Sequence, residues 1–201
     1  MSKGKLKTAI NKCLKKSSHC GKGPHGPIGS WDVSALTDLS WIFYDPADEA
    51  KEFTGDISKW DVSSVTDMNH MFHYASSFNG DILKWNVSRV TNMEAMFYSA
   101  SSFNGDISKW DVGRVANIIA MFASTPKFNG GLSTWDVSRV TDIAYMFASA
   151  PSFDGDVSKW DVSRVTDMEA MFYSSKSFNG DVSKWRVSRV IDMAYTFASA
   201  F

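Results

Sequence analysis

The side chains of this chain that could bind a ligand are charged residues that recur around a repeated tryptophan. A lysine precedes the tryptophan in five of the seven repeats, an aspartate or asparagine follows it in six, and an arginine lies four residues after it in five. Opposite charges held in regular order can recognise the polar groups of a protein or a glycan. The candidate ligand-binding residues are Lys59, Asp61, Lys84, Asn86, Arg89, Lys109, Asp111, Arg114, Asp136, Arg139, Lys159, Asp161 and Arg164.

The same charged columns also have a purely structural interpretation. Exposed ion pairs contribute little individually, so neighbouring lysine and aspartate columns could simply neutralise one another on a solvated surface. The sequence leaves the binding surface and the solvated surface equally open.

A second column of aspartates invites a metal hypothesis. These residues follow the glycine of most closing turns, at Asp56, Asp81, Asp106, Asp156 and Asp181. Calcium requires six to eight oxygen ligands, and one aspartate per turn supplies too few. We therefore expect these side chains to accept hydrogen bonds from turn amides, and a calcium-stapled array is a minor alternative.

Cysteine and histidine residues near the N-terminus offer a further metal hypothesis. Cys13, His19, Cys20 and His25 are close in sequence, but their spacing does not match a zinc finger. The two cysteines are compatible with a disulfide in a secreted protein and with two buried thiols in an intracellular one.

No set of residues predicts catalysis. The chain shows no nucleophile–base–orienter pattern and no phosphate-binding loop. His70 and His73 lie three residues apart without a catalytic partner nearby in sequence, and we expect them to be surface histidines. The sequence therefore predicts a protein that is not an enzyme and has no catalytic residue, no metal and no cofactor.

The charged columns follow from an internal repeat. Tryptophan recurs every 25 residues from Trp60 to Trp185, and Trp31 precedes Trp60 by 29 residues. Self-similarity at such a period is typical of a stacked-repeat architecture. The longer first interval predicts a loop insertion in the closing turn at 44–53, with a role in binding as the less favoured alternative.

Each repeat is predicted to contain a short strand, a short helix and a turn. Around the tryptophan, apolar residues alternate as they do in a strand. From five residues after it, apolar spacings of 3, 3, 1 and 3 indicate a helix. An Asn-Gly pair such as Asn79-Gly80 then predicts a turn that uses a positive φ. The candidate helix N-caps are Thr66, Thr91, Thr141 and Thr166.

The predicted fold class is therefore an α/β repeat solenoid, with coils of short parallel strand, turn and short helix. An apolar stripe within residues 3–16 predicts an N-terminal helix that caps the first coil. Residues 1–27 are assigned to this lysine-rich cap and a Gly/Pro connector. Residues 28–201 are assigned to seven repeats, the last one incomplete.

The net charge of the chain is −1, but the charged residues are distributed unevenly along the sequence. Residues 1–22 contain seven lysines and no acidic residue, so all 22 acidic residues lie in the repeats. An acidic repeat body argues against nucleic acid as a partner. The lysines are expected to form a solvated helix face, with an anionic membrane surface as the alternative. No apolar run is long enough to span a bilayer, and no signal peptide is visible.

The repeat unit closely resembles that of the BspA-like leucine-rich-repeat surface proteins, a family first catalogued as a mycoplasma lipoprotein-associated domain of unknown function. The resemblance rests on the pattern W-D-V-S-x-V-T-D-M-x-x-M-F and the closing F-N-G-D, and it covers residues 28–201. It implies leucine-rich-repeat coils, binding or adhesion, and a location outside the cell or at its surface. It supplies no ligand and no catalytic residue.

Two functional hypotheses follow. In the first, the protein is a binding module whose polar ladders lie on a concave face and contact a protein or glycan at a surface. In the second, the array is a structural scaffold without a dedicated ligand site, and it stacks end to end with other copies.

Overall fold

The chain begins with the predicted helix. The computed structural model describes residues 1–22, 25–44 and 49–200, and its first element is α1, Lys3–Leu14. The side chain of Ser2 caps α1 by accepting a hydrogen bond from the amide of Lys5. One face of α1 is buried against the repeats through Leu6, Ala9, Ile10, Cys13 and Leu14. This apolar stripe explains why the helix forms here and which side it covers.

The prediction of an α/β solenoid is wrong. Besides α1, the helices of the described residues are two short 3₁₀ helices, Ile28–Ser30 and Glu49–Glu52. Neither the strand nor the helix predicted for each leucine-rich-repeat-like coil is present there. Successive repeats are joined instead by isolated parallel β-bridges, which are Asp38–Asp67, Asp67–Asn92, Asn92–Asn117, Asn117–Asp142, Asp142–Asp167 and Asp167–Asp192.

Each 25-residue unit is a succession of β-turns. In the unit of Trp60, the amide of Trp60 donates to the carbonyl of Ile57 at 3.0 Å, and that of Val65 donates to the carbonyl of Val62 at 2.9 Å. The bond from Met71 to Met68, at 3.2 Å, follows the same pattern. The apolar residues are therefore the first and fourth residues of turns, whose ends point inward. The first and fourth residues of a β-turn are three positions apart. The spacing of the apolar residues in these turns therefore resembles the spacing expected in a helix.

Hydrogen bonds between units replace the internal hydrogen bonds of the predicted helix. Alternate amides in the unit of Trp85 donate to the next unit, Met93 to Asn117 at 2.9 Å and Ala95 to Ile119 at 2.8 Å. Two residues of this unit, four positions apart, are left-handed: Ala95 at φ 48° and Ser99 at φ 56°. A non-glycine residue pays about 1 kcal/mol for that conformation, and the bonds to the neighbouring unit offset it.

The closing-turn glycines do not have the positive φ that the Asn-Gly pairs predicted. Among the described glycines, Gly26 alone has a positive φ. The preceding asparagine forms a ladder that the sequence analysis missed: the amide of Asn104 donates to Oδ1 of Asn79, and that of Asn129 to Oδ1 of Asn104, both at 2.9 Å. The recurrence of Asn or Asp at this position was the available signal.

Aromatic columns fill the interior. Phe122 stacks on Phe128 of its own unit at 3.9 Å between ring centroids, and on Phe97 and Phe147 of the adjacent units at 5.7 and 5.8 Å. Each ring is fully buried. Stacked, desolvated rings of this kind contribute both burial and ring–ring attraction, so they hold neighbouring units in register.

The N-terminal cap is tied to the first unit and closed by a disulfide. Lys3 forms a salt bridge with Asp38 at 2.8 Å, and Nζ of Lys7 donates to the carbonyl of Trp41 at 2.7 Å. Cys13 and Cys20 are bonded, which decides between the two states that the sequence left open.

The predicted insertion at 44–53 includes residues 45–48, which lie outside the described residues.

Candidate ligand-binding surface

All thirteen predicted ligand-binding side chains are exposed. The lysines and arginines each occupy the third position of a turn whose first and fourth residues are buried, as Lys59 does between Ile57 and Trp60. The aspartates lie between two such turns. Placement on successive turns thus displays one lysine, one acidic or amide side chain and one arginine in each of the units of Trp85, Trp110 and Trp160.

The aspartates of these columns have a structural role as well. Oδ1 of Asp61, Asp136 and Asp161 accepts the amide of the serine two residues later, at 3.0 Å in each case. Hydrogen bonds from the hydroxyl and amide of Ser63 lower the pKa of Asp61, against the opposing effects of burial and Asp32. The carboxylates are therefore fixed in orientation and ionised.

The columns do not neutralise one another through direct ion pairs. Within residues 1–22, 25–44 and 49–200, the one salt bridge joins Lys3 to Asp38, away from these columns. Lysines act at longer range on the turn aspartates: Lys59 helps to lower the pKa of Asp56, after the hydrogen bonds from Ser58. The lysine and arginine heads of the ladders thus remain available to a ligand.

The turn aspartates are amide acceptors, as predicted. Oδ1 of Asp106 accepts the amide of Ser108 at 2.9 Å, and Asp56, Asp81, Asp156 and Asp181 make the equivalent bond. In the part of the chain that the structure describes, no three His, Cys, Asp or Glu side chains gather as a metal site. Both cysteines are in the disulfide, so neither can ligate zinc in this state.

The threonine column does not cap helices. Oγ1 of Thr66 donates to the carbonyl of Thr37 at 3.1 Å, and Oγ1 of Thr91 donates to the carbonyl of Thr66 at the same distance. The column therefore links adjacent units. The N-cap prediction failed because the helix it assumed is a chain of turns.

A cluster of aromatic and histidine rings was missed by the sequence analysis. His70 stacks on Trp41 at 3.8 Å, and His73 stacks on Tyr98 at 4.8 Å. The two histidine rings are 4.9 Å apart, and both are partly buried rather than on the open surface. We call Trp41, His70, His73, Tyr74 and Tyr98 the ring cluster. Its members come from three units and meet only because the units stack in register.

The ring cluster favours uncharged histidines. Burial, together with the like charge of His70, lowers the pKa of His73 to about 4. The buried Nδ1 of His73 has no hydrogen-bond partner among the described residues. Burial also lowers the pKa of His70, although Glu94 and Asp67 oppose that shift.

The ring cluster predicts an acid-sensitive contribution to stability. Because the folded-state pKa of His73 is depressed, its contribution is present above the unfolded pKa of about 6.5 and is lost as pH falls toward 4. Between pH 7 and pH 4 we expect the free energy of unfolding of His73→Phe to fall by about 1 kcal/mol less than that of wild type. This value is discounted because the ring is partly exposed. Urea unfolding at several pH values between 7 and 4 measures it.

The control for this prediction is His19→Gln, because His19 is exposed and outside the ring cluster. Its unfolding should follow the wild-type pH profile. Identical profiles for wild type and His73→Phe would contradict the assignment of this acid sensitivity to His73.

The fold and the exposed ladders define a class: a stacked-repeat protein whose 25-residue units are built from β-turns and carry regular columns of charge. The chain belongs to the family described as Mycoplasma protein of unknown function, DUF285, whose model matches residues 9–129 and again residues 104–201. No curated protein matches the chain. None of the helices in the described ranges has the length and hydropathy needed to cross a membrane.

Proposed function

We propose that this protein is a non-catalytic binding module that contacts a protein or glycan through its lysine, aspartate and arginine ladders. The observation that supports this most is the set of exposed lysines and arginines on hydrogen-bonded turns, with no ion pair to the intervening aspartates in the described residues. Because the backbone of these turns is already ordered, binding does not have to order it as well.

The turn geometry supports recognition of an extended, regular ligand. Units bonded through parallel bridges lie about 4.8 Å apart, so equivalent charges recur at short, constant steps. The aspartates accept hydrogen bonds through Oδ1 and are held ionised, which leaves their second oxygen for a ligand donor. A groove lined in part by His19, Asp56 and Lys59 lies at the N-terminal end of the ladder.

We further propose that the protein belongs to the BspA-like surface proteins and lies outside the cell or at its surface. The repeat pattern that resembles this family supports it, as does the disulfide Cys13–Cys20, because disulfides persist mainly in oxidising compartments. We propose adhesion as the role, without an enzymatic activity.

A charge-reversal experiment tests the ladder. Wild type and the double variant Lys109→Glu/Lys159→Glu are applied to an array of neutral and acidic glycans and to immobilised extracellular-matrix proteins. Because both lysines belong to the ladder, we expect the double variant to lose at least about tenfold in affinity for any ligand of the wild type.

The matched control is Lys127→Glu/Lys176→Glu, which makes the same change in net charge at two exposed lysines outside the ladder. It should bind as wild type does. Equal losses of affinity in both double variants would show that binding depends on the net charge of the protein and not on the ladder. Unchanged binding by the ladder variant, or no binding by wild type, would contradict the proposal.

A further inference from the structure

The N-terminal cap carries positive charge without internal partners, whereas the ladders carry both signs. Residues 1–31 contain seven lysines and no acidic residue. Lys3 pairs with Asp38, and Nζ of Lys7 donates to a carbonyl of the first unit. The other five are exposed and form no ion pair within the described residues; they are Lys5, Lys12, Lys15, Lys16 and Lys22. The cap, rather than the ladders, therefore indicates the charge of a ligand.

One groove of the cap surrounds the disulfide, and we call it the cap groove. It has a volume of about 390 Å³, and its lining includes Lys16, His19 and Lys22 beside Cys13 and Cys20. Sites for small ligands have volumes of about 300–1,000 Å³. The disulfide ties α1 to the segment that carries Lys22, so both lysines stay on the same groove.

A second groove, which we call the junction groove, continues from the cap to the ladder. It has a volume of about 440 Å³, and its lining includes His19, Ser30, Thr54, Asp56 and Lys59. His19 and Gly21 line both grooves. Because Lys59 is also the first lysine of the ladder, the two grooves form a continuous path from Lys16 and Lys22 to the ladder.

Hydrogen bonds hold the cap and the connector against the first closing turn. The amide of Thr54 donates to the carbonyl of Ser18 at 3.0 Å. The indole N–H of Trp60 donates to the carbonyl of Ile28 at 2.9 Å, and this bond is buried. The backbone around the grooves is therefore ordered without a ligand, which lowers the entropic cost of binding one.

The charges along the two grooves favour an anionic ligand. Among the described residues that line them, Asp56 is the one acidic side chain, against the three lysines Lys16, Lys22 and Lys59. Oδ1 of Asp56 already accepts the amide of Ser58 at 2.9 Å. Carboxylate or sulfate groups of a ligand would therefore find exposed ammonium groups, with which they form strong charge-assisted hydrogen bonds.

The position of the disulfide within the cap indicates the class of polyanion. Disulfides persist mainly in oxidising compartments outside the cytosol, whereas anionic lipids are concentrated in the cytoplasmic leaflet. In the described part of residues 1–31, Met1 is the one exposed large hydrophobic residue, so the cap offers little to insert into a membrane. Duplex DNA would lie against repeats that hold all 22 acidic residues and would be repelled. An acidic glycan meets none of these obstacles.

We propose that the ligand of this protein is an acidic glycan, a chain that bears uronate or sulfate groups, and that the cap binds it together with the ladder. Its anionic groups pair with Lys16 and Lys22 in the cap groove and with Lys59 in the junction groove, and His19 donates a hydrogen bond between them. This inference rests on the proposed function, because it extends the ladder into the cap and names the class of ligand.

Direct binding to heparin and to hyaluronate tests the proposal. Heparin carries sulfate and carboxylate groups and hyaluronate carries carboxylate alone, so the pair distinguishes the two kinds of anion, and dextran serves as the neutral probe. We expect wild type to bind at least one acidic glycan, and to bind dextran at least about tenfold more weakly. Lys16→Glu/Lys22→Glu, the cap variant, should lose at least about tenfold in affinity for the same glycan. Circular dichroism verifies that it remains folded.

The matched control is again Lys127→Glu/Lys176→Glu, which makes the same change in net charge outside both the cap and the ladder. It should bind the glycan as wild type does. Three results would overturn the proposal: an equal loss of affinity in this control, no binding of wild type to either acidic glycan, or tighter binding to phosphatidylserine vesicles or duplex DNA than to both glycans.

The ladder variant Lys109→Glu/Lys159→Glu separates this inference from the function on which it rests. Loss of glycan affinity in both the ladder variant and the cap variant supports both proposals. Loss in the ladder variant alone would overturn the role of the cap and leave the ladder as the binding surface. Loss in the cap variant alone would support the acidic-glycan site of the cap and contradict binding by the ladder.

Discussion

Replacing Trp110 by alanine is expected to lower the free energy of unfolding by about 3–5 kcal/mol, the range for truncating a large buried aromatic residue. Trp110 is 3% exposed, and its indole N–H donates to the carbonyl of Ile82 in the preceding unit at 3.0 Å. The ring also lies 6.5 Å from that of Trp135. The substitution removes burial, stacking and a bond between units together.

A second variant separates the hydrogen bond from the burial. Trp110→Phe keeps an aromatic ring and removes the indole donor. The carbonyl of Ile82 still accepts the amide of Trp85 at 3.1 Å, so losing the indole bond should cost about 1 kcal/mol beyond the change in ring size. Urea unfolding followed by circular dichroism measures both variants.

The control for this series is Trp185→Phe. Trp185 makes the equivalent bond to the carbonyl of Val157 at 3.1 Å, but it is only partly buried. Its replacement should therefore cost less than that of Trp110. Equal costs at the two positions would show that burial within the stack does not set the contribution of the tryptophans.

Replacing Gly130 by alanine is expected to destabilise the protein by about 1–3 kcal/mol through overpacking. A Cβ at this position would lie 2.9 Å from Cε2 and 3.0 Å from Cζ of Phe128. Phe128 cannot easily withdraw, because it is fully buried and stacks on Phe122 at 3.9 Å and on Phe103 and Phe153 at 5.9 and 6.0 Å. The ring column, rather than a special φ, requires glycine here.

The adjacent glycine provides the matched control. A Cβ on Gly131 would meet no atom closer than Cβ of Ser108 at 4.0 Å. Gly131→Ala should therefore leave stability unchanged or raise it by up to about 1 kcal/mol by restricting the unfolded chain. Thermal unfolding compares the two variants, and a Gly130→Ala protein as stable as Gly131→Ala would show that the phenylalanine column has room for a methyl group.

Several features were predictable from the order of the residues. The 25-residue period assigned the inward columns of tryptophan, valine, methionine and phenylalanine, and these are buried through the middle units. The apolar stripe of residues 3–16 predicted α1, which spans Lys3–Leu14. The polarity of the ladder columns predicted that residues such as Lys59 and Asp61 are exposed.

Residues that act across units were much harder to predict. The ring cluster joins Trp41, His70 and Tyr98 from three units, and no single repeat contains enough of it to be noticed. The asparagine ladder likewise joins residues 25 apart, such as Asn79 and Asn104. The recurrence of Asn or Asp marked this column in the sequence, but only the register of the stack shows that its members are bonded to one another.

The sequence by itself determined the period, the identity of the buried columns, the exposed ladders and the N-terminal helix, because burial follows from polarity and spacing. The tertiary structure decided the backbone conformation of every unit. The amide of Ala95 donates to the carbonyl of Ile119 in the next unit, rather than to a carbonyl four residues earlier as in a helix. Local propensity cannot anticipate a partner so far along the chain, and this is the physical reason why turns stand where strands and helices were predicted.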